Sequence, residues 1–112
     1  MAENTVLQMV MLEEYDRLIR LIDGIESELV DLPKGYISKK LINNNEYYYL
    51  QWRDGKKIKS KHISKDDASK LQESVKRRQD LEKSLRSHKK DKRRLEIALG
   101  KDFIEENIVS LL

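Results

Sequence analysis

Hydrophobic residues recur at helical spacing in two long stretches of the chain. In the first stretch they alternate at intervals of four and three, the a/d pattern of a coiled coil, at Met11, Tyr15, Leu18, Ile22, Ile25, Leu29 and Leu32. In the second stretch the stripe is formed by Leu71, Leu81, Leu85, Leu95 and Leu99, and polar residues such as Arg78 interrupt it. The pattern predicts one helix over residues 4–32 and another over residues 65–99.

Helix-capping and helix-terminating residues frame both stretches. The N-cap candidates are Asn4 or Thr5 and Ser64, and the terminators are Pro33, Gly35 and Gly100. After Gly100, a further amphipathic pattern predicts a short third helix over residues 102–111.

Between the helices, residues 36–63 alternate between apolar and polar in the manner of three antiparallel strands. Asn43-Asn44-Asn45 is the first turn, and Asp54-Gly55 is the second, of type I′. With Asp54 and Gly55 as the loop, Trp52 lies opposite Lys57 and Tyr48 opposite Lys61. One face then carries Tyr48, Leu50, Trp52, Lys57, Lys59 and Lys61, and the other carries Tyr47, Tyr49, Gln51, Ile58, Ser60 and His62.

These elements predict an α+β fold: a long antiparallel helical hairpin (a coiled coil) with a three-stranded antiparallel sheet at its tip and a short C-terminal helix. A length of 112 residues indicates one domain spanning residues 1–112. The seam that pairs the helices, or joins two copies, comprises Tyr15, Leu18, Ile22, Ile25, Leu29, Leu81, Leu85 and Leu95. Because a hairpin of this size buries little surface alone, we expect a homodimer.

Charge is distributed unevenly along the chain. The net charge is −6 over residues 1–33, +6 over residues 34–64, +5 over residues 65–100 and −2 over residues 101–112, which gives a total of +3. An antiparallel hairpin lets the acidic first helix neutralise part of the basic second helix. The charge of the sheet has no such internal partner, so it is the charge most available to another molecule.

Two resemblances accompany this pattern. The first rests on Leu32-Pro33-Lys34-Gly35, Tyr47-Tyr48-Tyr49-Leu50, Gly55-Lys56-Lys57, Lys59-Ser60-Lys61 and Leu95 to Gly100. Over residues 10–100, the chain resembles a family of small, functionally uncharacterised bacterial and archaeal helix–sheet–helix proteins.

The second and looser resemblance is to the arm-type DNA-binding domains of tyrosine recombinases, whose sheet enters a DNA groove. An aromatic strand from Tyr47 to Arg53, a basic strand from Lys57 to Ile63 and a helix from Lys65 match their order. The long N-terminal helix and the length of the second helix depart from it.

The lysines interleaved with aromatic residues are the main candidate site. Such a surface suits nucleic acid, because cations attract phosphates and rings stack on bases or pack on sugars. The candidate residues are Tyr48, Trp52, Lys57, Lys59 and Lys61. In the alternative interpretation, the rings pack on the helices and the lysine stems surround them. The basic runs at residues 76–78 and 89–94 either follow a phosphate backbone or form a solvated, ion-paired helix face.

The sequence contains no recognisable catalytic motif. It has no cysteine, and His62 and His88 stand outside any metal-binding motif. We therefore expect no enzyme activity, no metal and no cofactor. There is no apolar run of membrane-spanning length, and a cytoplasmic location is expected.

Two classes of function stay open. The first is a non-enzymatic module that binds nucleic acid through the sheet. The second is a protein-interaction module, either an anti-CRISPR-like inhibitor of a host nuclease carried by a phage or mobile element, or a coiled-coil oligomerisation protein.

Overall fold

The computed structural model describes residues 5–111 and confirms the predicted α+β class. Its elements are α1 (Val6–Leu29), β1 (Tyr36–Ile42), β2 (Asn45–Asp54), β3 (Lys57–Ile63), α2 (Lys65–Leu99), α3 (Lys101–Asn107) and a 3₁₀ turn over Ile108–Leu111. The first helix ends before the predicted boundary at residue 32, and the C-terminal helix ends in a 3₁₀ turn. The N-cap candidate Asn4 lies outside the described residues. No helix among those described is long and apolar enough to cross a bilayer.

At the ends of α1 and α2, capping residues form hydrogen bonds with backbone groups that lack a partner within the helix. Thr5 and Gln8 form a reciprocal capping box, in which each side chain accepts a hydrogen bond from the other residue's backbone N–H at 2.9 and 3.1 Å. Ser64 Oγ accepts the N–H of Asp67 at 3.1 Å. Gly100, with φ of 86°, donates its N–H to the carbonyl of Glu96 at the end of α2.

The chain forms two compact units. The first unit consists of α1 up to Glu28 together with the part of the chain from Lys83 onwards. Here α1 and α2 are antiparallel, because Tyr15 contacts Glu96 while Glu26 contacts Lys89. The core of this unit is Leu12, Tyr15, Leu99 and Ile104, with Met9, Met11, Leu95, Phe103, Ile108 and Leu111 packed against it. The C-terminal helix α3 therefore completes this core within the same chain.

Burial along the predicted seam is uneven. Tyr15, Leu18 and Leu81 are buried, whereas Ile22, Ile25, Leu29, Leu85 and Leu95 are half-buried. Leu12, which the a/d pattern places beside the seam, is 0% exposed. An ideal helix repeats every 3.6 residues rather than every 3.5, so an apolar stripe drifts around its surface.

Two acidic residues of α1 pair within their own helix. Arg17 binds Glu14 at 2.6 Å, and Arg20 binds Asp16 at 3.0 Å. The hydrogen bond from Arg17 lowers the pKa of the Glu14 carboxyl. Glu26 pairs instead with Lys89 of α2 at 3.4 Å, a contact of the kind that we expected between the two helices.

The second unit is Leu29–Glu82, and Arg78 closes the end of α1 within it. Nη1 of Arg78 donates to the carbonyl oxygens of Leu29 and Leu32 at 2.7 and 2.8 Å, and Nε donates to Glu82 at 2.7 Å. Leu29 is the last residue of α1, and its carbonyl also accepts the N–H of Leu32 at 3.2 Å. The last carbonyls of a helix lack the usual donor from the next turn, and a cation complements the negative end of the helix dipole. Arg78 therefore caps α1 from a distant part of the sequence.

The sheet has the order β1-β2-β3, with both pairs antiparallel. Trp52 lies opposite Lys59 and Asp54 opposite Lys57, so the predicted pairing of Trp52 with Lys57 is wrong by two residues. The loop residues are Gly55 and Lys56. Only Gly55 has a positive φ, of 62°, and a positive φ at the first loop position alone is typical of a type II′ turn.

The two-residue shift does not exchange the faces of the sheet. Side chains alternate with a period of two, so a shift of two residues keeps each side chain on the same side. The other turn is formed by Asn43 and Asn44, with φ of 51° and 66°. Two positive φ values are typical of type I′, and Asn45 is already the first residue of β2.

Candidate nucleic-acid interface

The alternation along the strands gives the sheet two faces. The inner face carries Ile37, Lys39, Leu41, Glu46, Tyr48, Leu50, Trp52, Asp54, Lys57, Lys59, Lys61 and Ile63. The outer face carries Tyr36, Ser38, Lys40, Ile42, Asn45, Tyr47, Tyr49, Gln51, Arg53, Ile58, Ser60 and His62. All five predicted site residues of the sheet, two rings and three lysines, therefore lie on the inner face.

The two predicted rings are half-buried. Tyr48 lines a cleft of about 190 Å³ together with Ala68 and Gln72 of α2. Trp52 lines another of about 300 Å³ together with Pro33 and other residues. The inner face thus turns its central rings towards α2 and the segment after α1, as the packing alternative describes.

The three predicted lysines are exposed. They lie on β3, where every residue from Lys57 to His62 is exposed and only Ile63 is buried. Lys59 binds Asp54 at 2.7 Å, and Lys57 and Lys61 form no ion pair within residues 5–111. Because alternate residues of a strand are about 7 Å apart, the three lysines project from evenly spaced positions in a row along one edge of the sheet.

Lys39 and Glu46 form the second ion pair of the inner face, at 2.8 Å. The hydrogen bond between them raises the pKa of the Lys39 ammonium and lowers the pKa of the Glu46 carboxyl. Tyr48 adds a hydrogen bond from its hydroxyl to Glu46 at 3.1 Å, which lowers the Glu46 pKa further. Both carboxylates of the sheet, Glu46 and Asp54, therefore have lysine partners.

The outer face carries an aromatic cluster for which the sequence predicted no role. His62 lies 5.4 Å from the Tyr49 ring in an edge-on arrangement and 6.1 Å from the Tyr47 ring. Nζ of Lys40 lies 5.0 Å from the centre of the Tyr49 ring. The alternating pattern already placed Tyr47, Tyr49 and His62 on one face, but only the structure shows that the opposite face is the one that lines a cleft with α2.

The basic runs of α2 have different surroundings. In the run at residues 76–78, Lys76 binds Asp80 at 3.0 Å and Arg78 caps α1. Further along, Arg86, Lys89, Lys90, Arg93 and Arg94 line a shallow groove of about 520 Å³ within the first unit. In this groove, Lys89 binds Glu26 and Arg94 binds Asp91.

Comparison with known proteins gives a family but no activity. A family model described as Domain of unknown function (DUF6788) matches residues 12–77, which include most of α1, the whole sheet and the start of α2. No curated protein and no solved structure matches the chain, so the likeness to recombinase arm-type domains has no support from them. Since the matched segment covers more than half of the sequence, the chain belongs to the DUF6788 family.

Proposed function

We propose that the protein is a non-enzymatic module that binds nucleic acid through its sheet, with Lys57, Lys59 and Lys61 contacting phosphates. The observation that carries this proposal is that every residue of β3 from Lys57 to His62 is exposed, with its row of lysines. Residues 53–62 hold five cations and one carboxylate. A polyanion that neutralises these cations releases its condensed counterions, and this release is the main source of affinity in such complexes.

In this proposal Tyr48 and Trp52 position the basic strand. Trp52 lies directly opposite Lys59, and Tyr48 lies opposite the buried Ile63. Half-buried rings that pack beneath a strand limit its motion, so the lysines bind from a fixed backbone. The alternative role for the lysine-rich edge is to keep sheets of different molecules from pairing, as charged edge strands do.

A titration separates these two roles of the lysines. A fluorescently labelled 20-nucleotide single strand and its duplex are titrated with the protein at 50 and 200 mM salt, and anisotropy is measured. The wild-type protein should bind, with affinity that falls steeply as salt rises. The triple variant Lys57→Gln, Lys59→Gln, Lys61→Gln should bind at least about tenfold more weakly at 50 mM salt. Its log–log salt slope should be shallower by about two to three, since each phosphate contact contributes about 0.7 to 0.9.

The matched control is Lys70→Gln, Lys83→Gln, Lys101→Gln, which removes three exposed lysines outside the sheet. It changes the net charge equally and should keep most of the affinity and the slope. Equal binding by the wild-type protein and the β3 variant would overturn the proposal.

A protein partner is the second candidate function, and an apolar stripe at the start of α1 favours it. Val6, Leu7 and Val10 are 82%, 67% and 54% exposed, at spacings that place them on one side of the helix. A partner held by this stripe would bind with little dependence on salt. Failure of the wild-type protein to bind nucleic acid at 50 mM salt would leave this candidate as the preferred one.

A further inference from the structure

We infer that the outer face of the sheet is a stacking platform for unpaired bases, so that the nucleic acid bound by this protein is single-stranded. This inference rests on the proposed function, because it takes nucleic acid as the ligand and names its class. The residues that carry it are Tyr47, Tyr49 and His62, with Lys40 beside Tyr49 and Arg53 further along the same face, and none belongs to the lysine row of β3.

The margins of the outer face expose apolar side chains. Tyr36, Ile42 and Ile58 are 50%, 48% and 62% exposed, and all three lie on this face. They are separated from one another, since Tyr36 and Ile42 lie near opposite ends of β1 and Ile58 lies on β3. The candidate site on this face is therefore the aromatic cluster, which is independent of the inner-face lysines.

The charges of the face restrict what can cover it. Lys40 and Arg53 are its cations, and none of its residues is a carboxylate. A second copy that docked symmetrically would bring like charges together. An anionic ligand would meet two cations and no repelling group.

The rings restrict the ligand further. Tyr47 and Tyr49 are half-buried, and His62 contacts both, so the cluster is held in place before a ligand arrives. Bases stack on such rings only when they are unpaired, because the faces of paired bases are covered by their neighbours in the duplex. Stacking needs no base-specific hydrogen bonds, so the platform should tolerate many sequences.

The test compares a labelled 15-nucleotide oligothymidine strand with a blunt 15-base-pair duplex at 200 mM salt, where phosphate contacts are weakened. The wild-type protein should bind the single strand at least about tenfold more tightly than the duplex. The double variant Tyr47→Val, Tyr49→Val should lose about tenfold in single-strand affinity, which matches the loss of one to two stacked bases. Its salt slope and its duplex affinity should stay unchanged, because no cation has been removed.

The matched control is Tyr47→Phe, Tyr49→Phe, which keeps both rings and should bind like the wild-type protein. Equal wild-type affinity for single strand and duplex would overturn the platform and leave the proposed function standing, and this comparison needs no variant to fold. Absence of binding to either probe at 50 mM salt would overturn both.

Discussion

Gly35 shows how a single position governs the entry into the sheet. Its φ is 104°, a backbone conformation that side chains with a Cβ rarely adopt. A Cβ at this position would also clash with the backbone carbonyl of Gln51 on β2. The chain therefore needs glycine between α1 and β1 for a conformational and a steric reason.

The variant Gly35→Ala should be destabilised by about 3 kcal/mol or more, because a strained φ and an overpacked backbone contact each cost about 1 to 3 kcal/mol. Urea unfolding followed by circular dichroism measures this change. The control is Gly24→Ala in α1, where a Cβ meets no atom within 4 Å. It should be neutral or stabilising by up to about 1 kcal/mol. Equal stability of the two variants would contradict this account of Gly35.

Arg78 marks a limit of sequence analysis at this scale. The heptad pattern identifies it only as a polar interruption of an apolar stripe. Its role depends on carbonyl groups 49 and 46 residues away in the sequence. No periodicity encodes which distant backbone groups a side chain reaches, so the cap becomes visible only once the chain is folded. The local caps, Ser64 and Thr5, depend on residues three positions away and were accessible from the sequence.

The strands show which part of an element the sequence determines. The alternation of apolar and polar residues determines which side chains share a face, and the Asp54-Gly55 pair indicates a hairpin. The same residues are compatible with two loop positions that differ by one residue. A loop of Asp54 and Gly55 gives type I′, whereas a loop of Gly55 and Lys56 gives type II′, and the latter forms. The composition of each face was therefore predictable. Which face α2 covers was not, because both faces mix rings with cations.

The pairing of α1 with α2 in the first unit makes a pH-dependent contribution through Tyr15. Its hydroxyl donates a hydrogen bond to Glu96 at 3.2 Å. Burial, and then the charge of Glu96, raise the pKa of Tyr15 above its usual value of 10.0. A raised pKa in the folded state gives stability that is complete below pH 10 and is lost as the pH rises through the folded pKa.

The variant Tyr15→Phe should therefore differ from the wild type in a pH-dependent way. At pH 8 it should be less stable by about 1 kcal/mol, because it lacks the hydrogen bond. At pH 11 the difference should narrow or reverse, since only the wild type loses stability through ionisation of Tyr15. Urea unfolding at both pH values measures this, and other titrating groups cancel because both proteins share them. An equal difference at pH 8 and pH 11 would contradict the role of Tyr15.

On the scale of the whole molecule, two basic surfaces are candidates for the proposed contact with nucleic acid. One is the β3 edge, and the other is the groove on α2. Arg86, Lys90 and Arg93 occupy one side of α2 at spacings of four and three, and none forms an ion pair within the described part of the chain. The net charge of +3 alone gives no reason to prefer either surface.

Charge-matched variants decide between them. The helix variant Arg86→Gln, Lys90→Gln, Arg93→Gln and the β3 variant Lys57→Gln, Lys59→Gln, Lys61→Gln both reduce the net charge from +3 to 0. At 150 mM salt, charges are screened beyond about 8 Å, so a loss of net charge away from the site should weaken binding less than about threefold. The helix variant should show this small loss in an anisotropy titration, and the β3 variant should lose at least about tenfold. Equal losses would mean that net charge rather than a site drives binding. A larger loss for the helix variant would place the contact on α2, since removing a directly contacting cation costs more than removing a distant one.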